Sequence, residues 1–201
     1  MRVIGLTGGI ACGKSHISSQ LSALGVPIID GDLLSRELTA PGGAALPELR
    51  VAFGDSIFCS DGTLNRAALG QRVFGKPDAL ARLDAIMQPM IRRLITERMA
   101  ALEAADVPLC VLDMPLLYEK GLDALCDRVW CASLPQETQL ERLMNRDGCT
   151  REAAEKRIAS QLPTEEKARR ANIVIDTRGT PAETAALIPP LLQEEMRLAA
   201  L

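Results

Sequence analysis

Residues 2–15 read RVIGLTGGIACGKS, and this stretch decides the fold. The apolar run at 2–6 predicts a buried strand, and the glycines that follow it predict a turn. Apolar residues then recur at helical spacing from 13 to 24, and Gly25 ends that pattern. The stretch therefore predicts a strand, a glycine-rich loop and a helix in direct succession.

The loop between the predicted strand and helix matches the pattern G-x-x-x-x-G-K-[ST] in full. Glycines allow successive backbone N–H groups to point at one phosphate, and the helix that follows adds its positive N-terminal end. Lysine supplies a compact charge to the β- and γ-phosphates, and the hydroxyl after it is a ligand for Mg²⁺. The alternative is an ordinary glycine-rich turn with an exposed lysine. The predicted nucleotide-binding residues are Gly8, Gly9, Ile10, Ala11, Cys12, Gly13, Lys14 and Ser15, followed by His16, whose side chain is solvated or flanks the nucleotide.

Four further apolar runs, at 26–29, 109–112, 129–132 and 173–175, are separated by helical stretches. Strands that alternate with helices predict an α/β fold with a mainly parallel sheet, here of five strands. Pro89 is interpreted as the start of a new helix. The tail at 181–201 alternates Ala and Leu with Glu, which predicts a final helix.

The spacing of the strands predicts one domain with two additions. The core consists of residues 1–31, 108–135 and 172–201. The segment of about 32–107 is too long for a simple crossover, so it is predicted to be a helical insertion that binds a substrate. The segment of about 136–171 is dense in Arg, Lys and Glu and is predicted to be a mobile helical lid.

Composition excludes several classes of function. The net charge of −3 and an aromatic content of 2% argue against a nucleic-acid-binding surface or an anionic-membrane surface. No stretch approaches the roughly 18 apolar residues of a membrane span. Six cysteines without a C-x-x-C pair, and a single histidine, argue against a zinc site and predict reduced thiols in the cytoplasm.

Three aspartates follow predicted strands, where the ligand crevice of a parallel sheet lies. Asp32 can accept a proton from an attacking hydroxyl, or it can cap the helix predicted at 33–38. Asp30 can assist Mg²⁺ or hold the loop. Asp113 ends the run at 109–112 and is placed to hold Mg²⁺ as a Walker-B acid, the alternative being a helix cap or turn.

Several motifs in this order resemble the dephospho-CoA kinase family over about residues 2–180. The phosphate-binding loop, or P-loop, is shared by many nucleoside triphosphatases (NTPases), but the ordered combination of the later elements is more specific. The matching elements are the start Ile4-Gly5-Leu6-Thr7-Gly8-Gly9-Ile10, then Asp30-Gly31-Asp32, Leu64-Asn65-Arg66 with Val73-Phe74, Pro115-Leu116-Leu117-Tyr118-Glu119, Arg142, Arg146-Asp147-Gly148 and Gln161.

The resemblance implies a three-layer P-loop fold and transfer of the ATP γ-phosphoryl group to the ribose 3′-hydroxyl of dephospho-CoA, with Mg²⁺. It implies that Asp32 is the general base and that Arg146, with Arg142, closes over the transferring group. On spacing alone, an ion pair on a helix surface is the favoured interpretation of Arg146. The remaining residues implied by the resemblance are Arg66, Gln88, Leu116 and Gln161 for the acceptor, and Gly179 for the nucleotide.

Three departures from the family pattern stand out. Gln88-Pro89 replaces the usual His-Pro, Ala11-Cys12 replaces Gly-Ser in the loop, and Asp176-Thr177-Arg178-Gly179 replaces Asp-Asn-x-Gly. The remaining alternatives are another small-molecule P-loop kinase and a nucleotide-dependent switch. The switch is disfavoured because the chain has no N-K-x-D motif. The chain is predicted to be a monomer or a weak homo-oligomer.

Overall fold

The computed structural model describes residues 1–200. They form two compact units, which we call the first unit (residues 1–30 and those from 100 onward) and the second unit (residues 31–99). The helices are α1 (Lys14–Ala23), α2 (Gly31–Leu38), α3 (Leu46–Phe53), α4 (Arg66–Val73), α5 (Pro77–Ala104), α6 (Gln136–Asp147), α7 (Arg151–Ala159), α8 (Thr164–Arg170) and α9 (Pro181–Ala199). The division into core, insertion and lid remains a prediction.

The first unit contains a parallel five-stranded sheet in the order β2-β3-β1-β4-β5. Its strands read as nearly continuous apolar runs because both faces of a parallel sheet are covered. The predicted α/β class and all five predicted strands are therefore confirmed. The strands are β1 (Arg2–Gly8), β2 (Ile28–Asp30), β3 (Leu109–Asp113), β4 (Arg128–Ser133) and β5 (Ile173–Asp176).

Helix α1 packs on this sheet as the sequence predicted. Its apolar residues Ile17 and Leu21 are fully buried and join a cluster with Ile4 and Leu6 of β1 and Trp130 of β4. Burying large apolar side chains stabilises the fold by about 1.5–3 kcal/mol each. The anchoring of α1 fixes the position of the loop that precedes it.

A buried carboxylate joins helix α9 to the starts of two strands. Glu195 is fully buried and accepts hydrogen bonds from Arg2 Nε at 2.7 Å and Trp130 Nε1 at 3.2 Å. Arg128 lies 3.5 Å away from the same carboxylate. The C-terminal helix predicted at 181–201 is confirmed for Pro181–Ala199, and Leu201 lies outside the described residues.

The prediction for Pro89 is wrong, because Pro89 lies inside the continuous helix α5. A proline within a helix removes one hydrogen bond and costs about 3 kcal/mol. The helix continues because Met87 and Ile91 on either side are buried, while Pro89 itself is exposed. Water can therefore reach the carbonyl group that loses its donor.

Candidate active site

The phosphate-binding loop has the tight backbone that its glycines predict. The Cys12 N–H donates to the Gly9 carbonyl at 3.1 Å, and the His16 N–H donates to the Gly13 carbonyl at 3.0 Å. Gly13 has a φ of 79° and Ala11 a φ of 61°, both in the left-handed region. A side chain strains that conformation by roughly 1–2 kcal/mol, so Ala11 holds a position that suits glycine. The loop leads directly into α1, whose N–H groups point toward the loop.

Lys14 and Asp113 form an ion pair at the carboxyl edge of the sheet. Asp113 is the last residue of β3 and is 3% exposed, so it is not a helix cap. Burial raises the pKa of Asp113, while the Lys14 ammonium and a hydrogen bond with Ser18 lower it by less. Asp30 pairs in register with Asp113 on the neighbouring strand. The edge thus holds two neighbouring carboxylates, and that of Asp113 pairs with the loop lysine.

Two buried side chains that the sequence did not reveal hold the loop from one side. Gln139 of α6 donates from Nε2 to the Ile10 carbonyl at 2.8 Å. Thr164 of α8 donates to Gln139 Oε1 at 3.2 Å and contacts the Cys12 sulfur at 3.7 Å. A Cβ at Gly9 would lie 2.1 Å from Thr164 Oγ1, so only glycine fits there. Neither residue belongs to a motif, so the sequence carries no signal for them.

Gln161 was predicted to bind the acceptor, and it lies against the loop. Its Oε1 accepts the Ile10 N–H at 3.1 Å. Because Gln139 holds the Ile10 carbonyl, the Ile10 residue is fixed by two carboxamides at once. An amide of this loop that is predicted to face a phosphate is therefore engaged by a side chain in this structure.

Cys12 contributes its backbone to the loop and its thiol to the core. The side chain is fully buried, and burial raises the pKa of the Cys12 thiol despite the opposing hydrogen bond with Thr164. Its carbonyl accepts a hydrogen bond from Thr177 Oγ1 at 2.8 Å, and the Thr177 N–H donates to the Ser133 carbonyl at 3.0 Å. The departure at Thr177 thus serves to tie the loop to the end of β4.

The two predicted lid arginines have different surroundings. Arg142 donates to the carbonyl groups of Thr177 at 2.8 Å and Arg178 at 3.3 Å. Arg146 is exposed and forms a two-point ion pair with Asp147, at 2.7 and 3.1 Å. Hydrogen bonds from Arg146 and then Arg157 lower the pKa of Asp147 to about 2. Arg146 thus forms a surface ion pair, but with the adjacent residue Asp147 and not at the i, i+4 spacing of the helix-surface alternative.

The other predicted residues of the first unit are Ser15, His16, Leu116 and Gly179. Ser15 is exposed on the first turn of α1. His16 Nε2 donates to the Pro181 carbonyl at 2.8 Å. Leu116 is half-buried in the turn after β3, and a Cβ at Gly179 would lie 2.6 Å from the carboxylate of Glu183.

Asp32, Arg66 and Gln88 belong to the second unit. Asp32 is the exposed second residue of α2, which begins at Gly31, so it does not occupy the N-cap position. Arg66 begins α4 and donates to Thr39 Oγ1 at 2.5 Å. Gln88 is half-buried on α5. The roles implied for these three residues remain predictions.

Residues 1–200 contain neither a clustered metal site nor a membrane-spanning helix. No group of three or more His, Cys, Asp or Glu side chains in this range is arranged to hold a metal ion. Within the same described residues, no helix combines the length and the apolar character needed to cross a membrane.

Comparison with known proteins decides the family. The family model described as dephospho-CoA kinase matches residues 2–183. The chain belongs to the dephospho-CoA kinase family. The dephospho-CoA kinase of Anaeromyxobacter dehalogenans is 47% identical over 194 residues, which cover 96% of this chain and 92% of the relative. That of Geobacter sulfurreducens is 46% identical over 183 residues, covering 91% and 93%.

Solved structures agree with this family assignment. The protein TT1252 from Thermus thermophilus is 34% identical, with a TM-score of 0.82 over 96% of this chain and 97% of that one. A dephospho-CoA kinase from Campylobacter jejuni is 27% identical, with a TM-score of 0.67 and the same coverage. A shikimate kinase from Aquifex aeolicus is 14% identical with a TM-score of 0.52, which shows a shared fold. Dephospho-CoA kinases thus share their P-loop fold with other small-molecule kinases.

Proposed function

We propose that this chain transfers the γ-phosphoryl group of ATP to the ribose 3′-hydroxyl of dephospho-CoA, giving coenzyme A and ADP. The observation that carries the proposal is the family match over residues 2–183, together with a complete phosphate-binding loop between β1 and α1. Phosphoryl transfer needs little covalent chemistry from the protein, so positioning and charge neutralisation supply most of the catalysis. The enzyme is an ATP-dependent phosphotransferase.

Lys14 and the loop amides other than that of Ile10, which Gln161 engages, bind the phosphates of ATP in this proposal. The ammonium of Lys14 lies against Asp113, and in this proposal it binds a phosphate oxygen of ATP. The Ser15 hydroxyl and the Asp113 carboxylate are hard oxygen donors, and Mg²⁺ is held in kinases by one or two such groups plus phosphates. Bound Mg²⁺ would neutralise phosphate charge. His16 and Gly179 flank the nucleotide.

Asp32 acts as the general base and takes the proton of the acceptor hydroxyl. Its exposed position on the first turn of α2 supports this role, because a substrate can reach the carboxylate. Arg146 leaves Asp147 and binds the transferring group, helped by Arg142. A planar guanidinium that makes a two-point contact with a carboxylate can make the same contact with a phosphoryl group.

The acceptor is bound by the insertion at about 32–107 and enclosed by the lid at about 136–171. Arg66 contacts its phosphates, and Gln88 and Leu116 contact the rest of the molecule. Gln161, whose Oε1 holds Ile10, contacts the acceptor through Nε2. Closure of the lid excludes water, which would otherwise hydrolyse ATP. We also propose that the protein works in the cytoplasm as a monomer or weak homo-oligomer.

The test is incubation of the protein with Mg-ATP and dephospho-CoA, followed by mass spectrometry of coenzyme A. A panel of nucleoside monophosphates and small polyols as acceptors tests the rival kinase activities. Formation of coenzyme A at a rate no higher than phosphorylation of these acceptors would refute the assignment.

A matched pair of variants tests the general base. Asp32→Asn is expected to bind ATP normally and to lose about 10²–10⁴-fold in turnover, as loss of a general base does. Asp78→Asn is the control, because Asp78 is also an exposed acid in the first turn of a helix of the second unit. Equal activity of the two variants would show that Asp32 only stabilises its helix.

A further inference from the structure

Lys167 of α8 is a fully buried cation that no motif explains. Its ammonium donates to the Pro115 carbonyl at 2.6 Å and forms an ion pair with Glu119 Oε1 at 2.8 Å. The Glu119 side chain is only 20% exposed. A charge removed from water is costly unless it is paired and hydrogen-bonded, and Lys167 meets both conditions. Because desolvating the Lys167 ammonium costs free energy, its partners are expected to give it a role other than packing.

The partners of Lys167 connect it to two other segments of the first unit. The Pro115 carbonyl also accepts a hydrogen bond from Thr7 Oγ1 at 3.1 Å, and Thr7 directly precedes the phosphate-binding loop. Glu119 Oε1 also accepts the Leu162 N–H at 2.9 Å, and Leu162 lies in the link between α7 and α8. Through the turn after β3, Lys167 is thus connected to the end of β1 and to the link between α7 and α8.

The link that Lys167 anchors is the one that holds the phosphate-binding loop. Gln161 accepts the Ile10 N–H, and Thr164 positions Gln139, which donates to the Ile10 carbonyl. Gln161 and Thr164 flank Leu162 in the sequence, so anchoring Leu162 also positions these two side chains. Gln161 contacts Ile10 directly, whereas Thr164 acts on Ile10 through Gln139. The charge of Lys167 also reaches the loop itself, where it lowers the pKa of Cys12 against the larger effect of burial.

We propose that Lys167 is a positioning residue for ATP. Through Glu119 and Pro115 it holds Gln161 and Thr164 against Ile10, and so sets the direction of the neighbouring loop amides, which receive the phosphates. The proposal rests on the proposed function only in that the loop binds ATP, and it makes no claim about the acceptor. A displacement of about 1 Å in such a site can cost up to about a hundredfold in rate.

The experiment compares Lys167→Met, Glu119→Gln and Lys156→Met. Methionine keeps the length of Lys167 and removes its charge. In Glu119→Gln a carboxamide oxygen can still accept from both Lys167 and Leu162. Lys156→Met is the control, because Lys156 is exposed on α7 and pairs with the exposed Glu152. Binding of ATP is measured by calorimetry with no acceptor present, so a failure of coenzyme A formation would leave this result intact.

Lys167→Met is expected to weaken ATP binding and raise the KM for ATP by about tenfold, with the KM for dephospho-CoA unchanged. Glu119→Gln is expected to change both values by about twofold or less, and Lys156→Met to change neither. Wild-type ATP affinity in folded Lys167→Met, or equal changes in both KM values, would overturn the proposal. Folding is followed by the fluorescence of the single tryptophan, Trp130, which is fully buried in the first unit.

If Lys167→Met does not fold, Glu119→Ala tests the positioning role of Lys167 instead. This variant removes the acceptor of both Lys167 and Leu162 from a less buried position. It is expected to lose ATP affinity by about tenfold as well. ATP affinity equal to that of the wild type would overturn the proposal in that case.

Discussion

The hydroxyl of Tyr118 is expected to destabilise the first unit, so Tyr118→Phe should make the protein more stable. The Tyr118 hydroxyl oxygen is buried and has no hydrogen-bond partner among residues 1–200. Burial raises the pKa of Tyr118 to about 12. The guanidinium of Arg170 lies 4.1 Å from the centre of the ring and stacks on its face rather than on the hydroxyl.

The size of the effect follows from these contacts. A buried polar group without a partner costs about 1–3 kcal/mol, and replacing the hydroxyl by hydrogen removes that cost. The ring and its contact with Arg170 remain, because a cation binds the face of phenylalanine as well. We expect a gain of about 1.5 kcal/mol in the free energy of unfolding. For a chain of this length the midpoint temperature should rise by about 3–6 °C.

The assay is urea and thermal unfolding followed by Trp130 fluorescence, which reports on the same unit. Tyr118→Leu is the control, since it also removes the hydroxyl but loses the ring and its contact with Arg170. That variant should be less stable than the wild type. A free energy of unfolding for Tyr118→Phe that equals or falls below the wild-type value would refute the reasoning, because it would mean that the hydroxyl has a favourable partner.

Three more predictions follow from the contacts described above. Ala11→Gly should raise the free energy of unfolding by about 0.5 kcal/mol, because it relieves left-handed strain, whereas Ala101→Gly in α5 should lower it by about 1 kcal/mol; urea unfolding distinguishes the two, and equal losses would contradict the strain argument. Glu195→Gln should cost about 2 kcal/mol in the same assay, because two arginines lose their buried carboxylate, and an unchanged midpoint would show that the pair contributes nothing. With Ellman's reagent at pH 8, exposed Cys59 should react first and Cys59→Ser should abolish that fast phase, whereas buried Cys131, with a pKa raised to about 12, should react only on unfolding; fast labelling of Cys131 in the folded protein would contradict its burial.

Local features of the chain were predictable because their causes are local. The phosphate-binding loop needs glycine where the backbone turns, and the five strands need unbroken apolar runs, so both can be read from neighbouring residues. The prediction for Pro89 failed because it used only the local preference of proline for the first turn of a helix. The burial of Met87 and Ile91, which keeps α5 continuous, cannot be read from neighbouring residues. Tertiary packing overrides local preference when apolar neighbours on the same helix are buried.

The candidate site was only partly predictable. Lys14 and Asp113 belong to recognisable motifs, and the parallel register of β1 and β3 brings their segments to one edge of the sheet. Gln139 and Thr164 belong to no motif, and only the packing of α6 and α8 reveals that they hold the loop. Polar residues of this type are usually exposed, so a sequence gives no reason to single them out.

The sequence by itself determined the strand, the glycine-rich loop and the helix that opens with Lys14, because backbone conformation there depends on residues next to one another. It also determined the family, through motifs in a fixed order. Only the tertiary structure decided that Lys167 and Glu195 are fully buried charges with partners far away along the chain. The reason is physical: the cost of burying a charge depends on what surrounds it in space, and that arrangement exists only after the chain has folded.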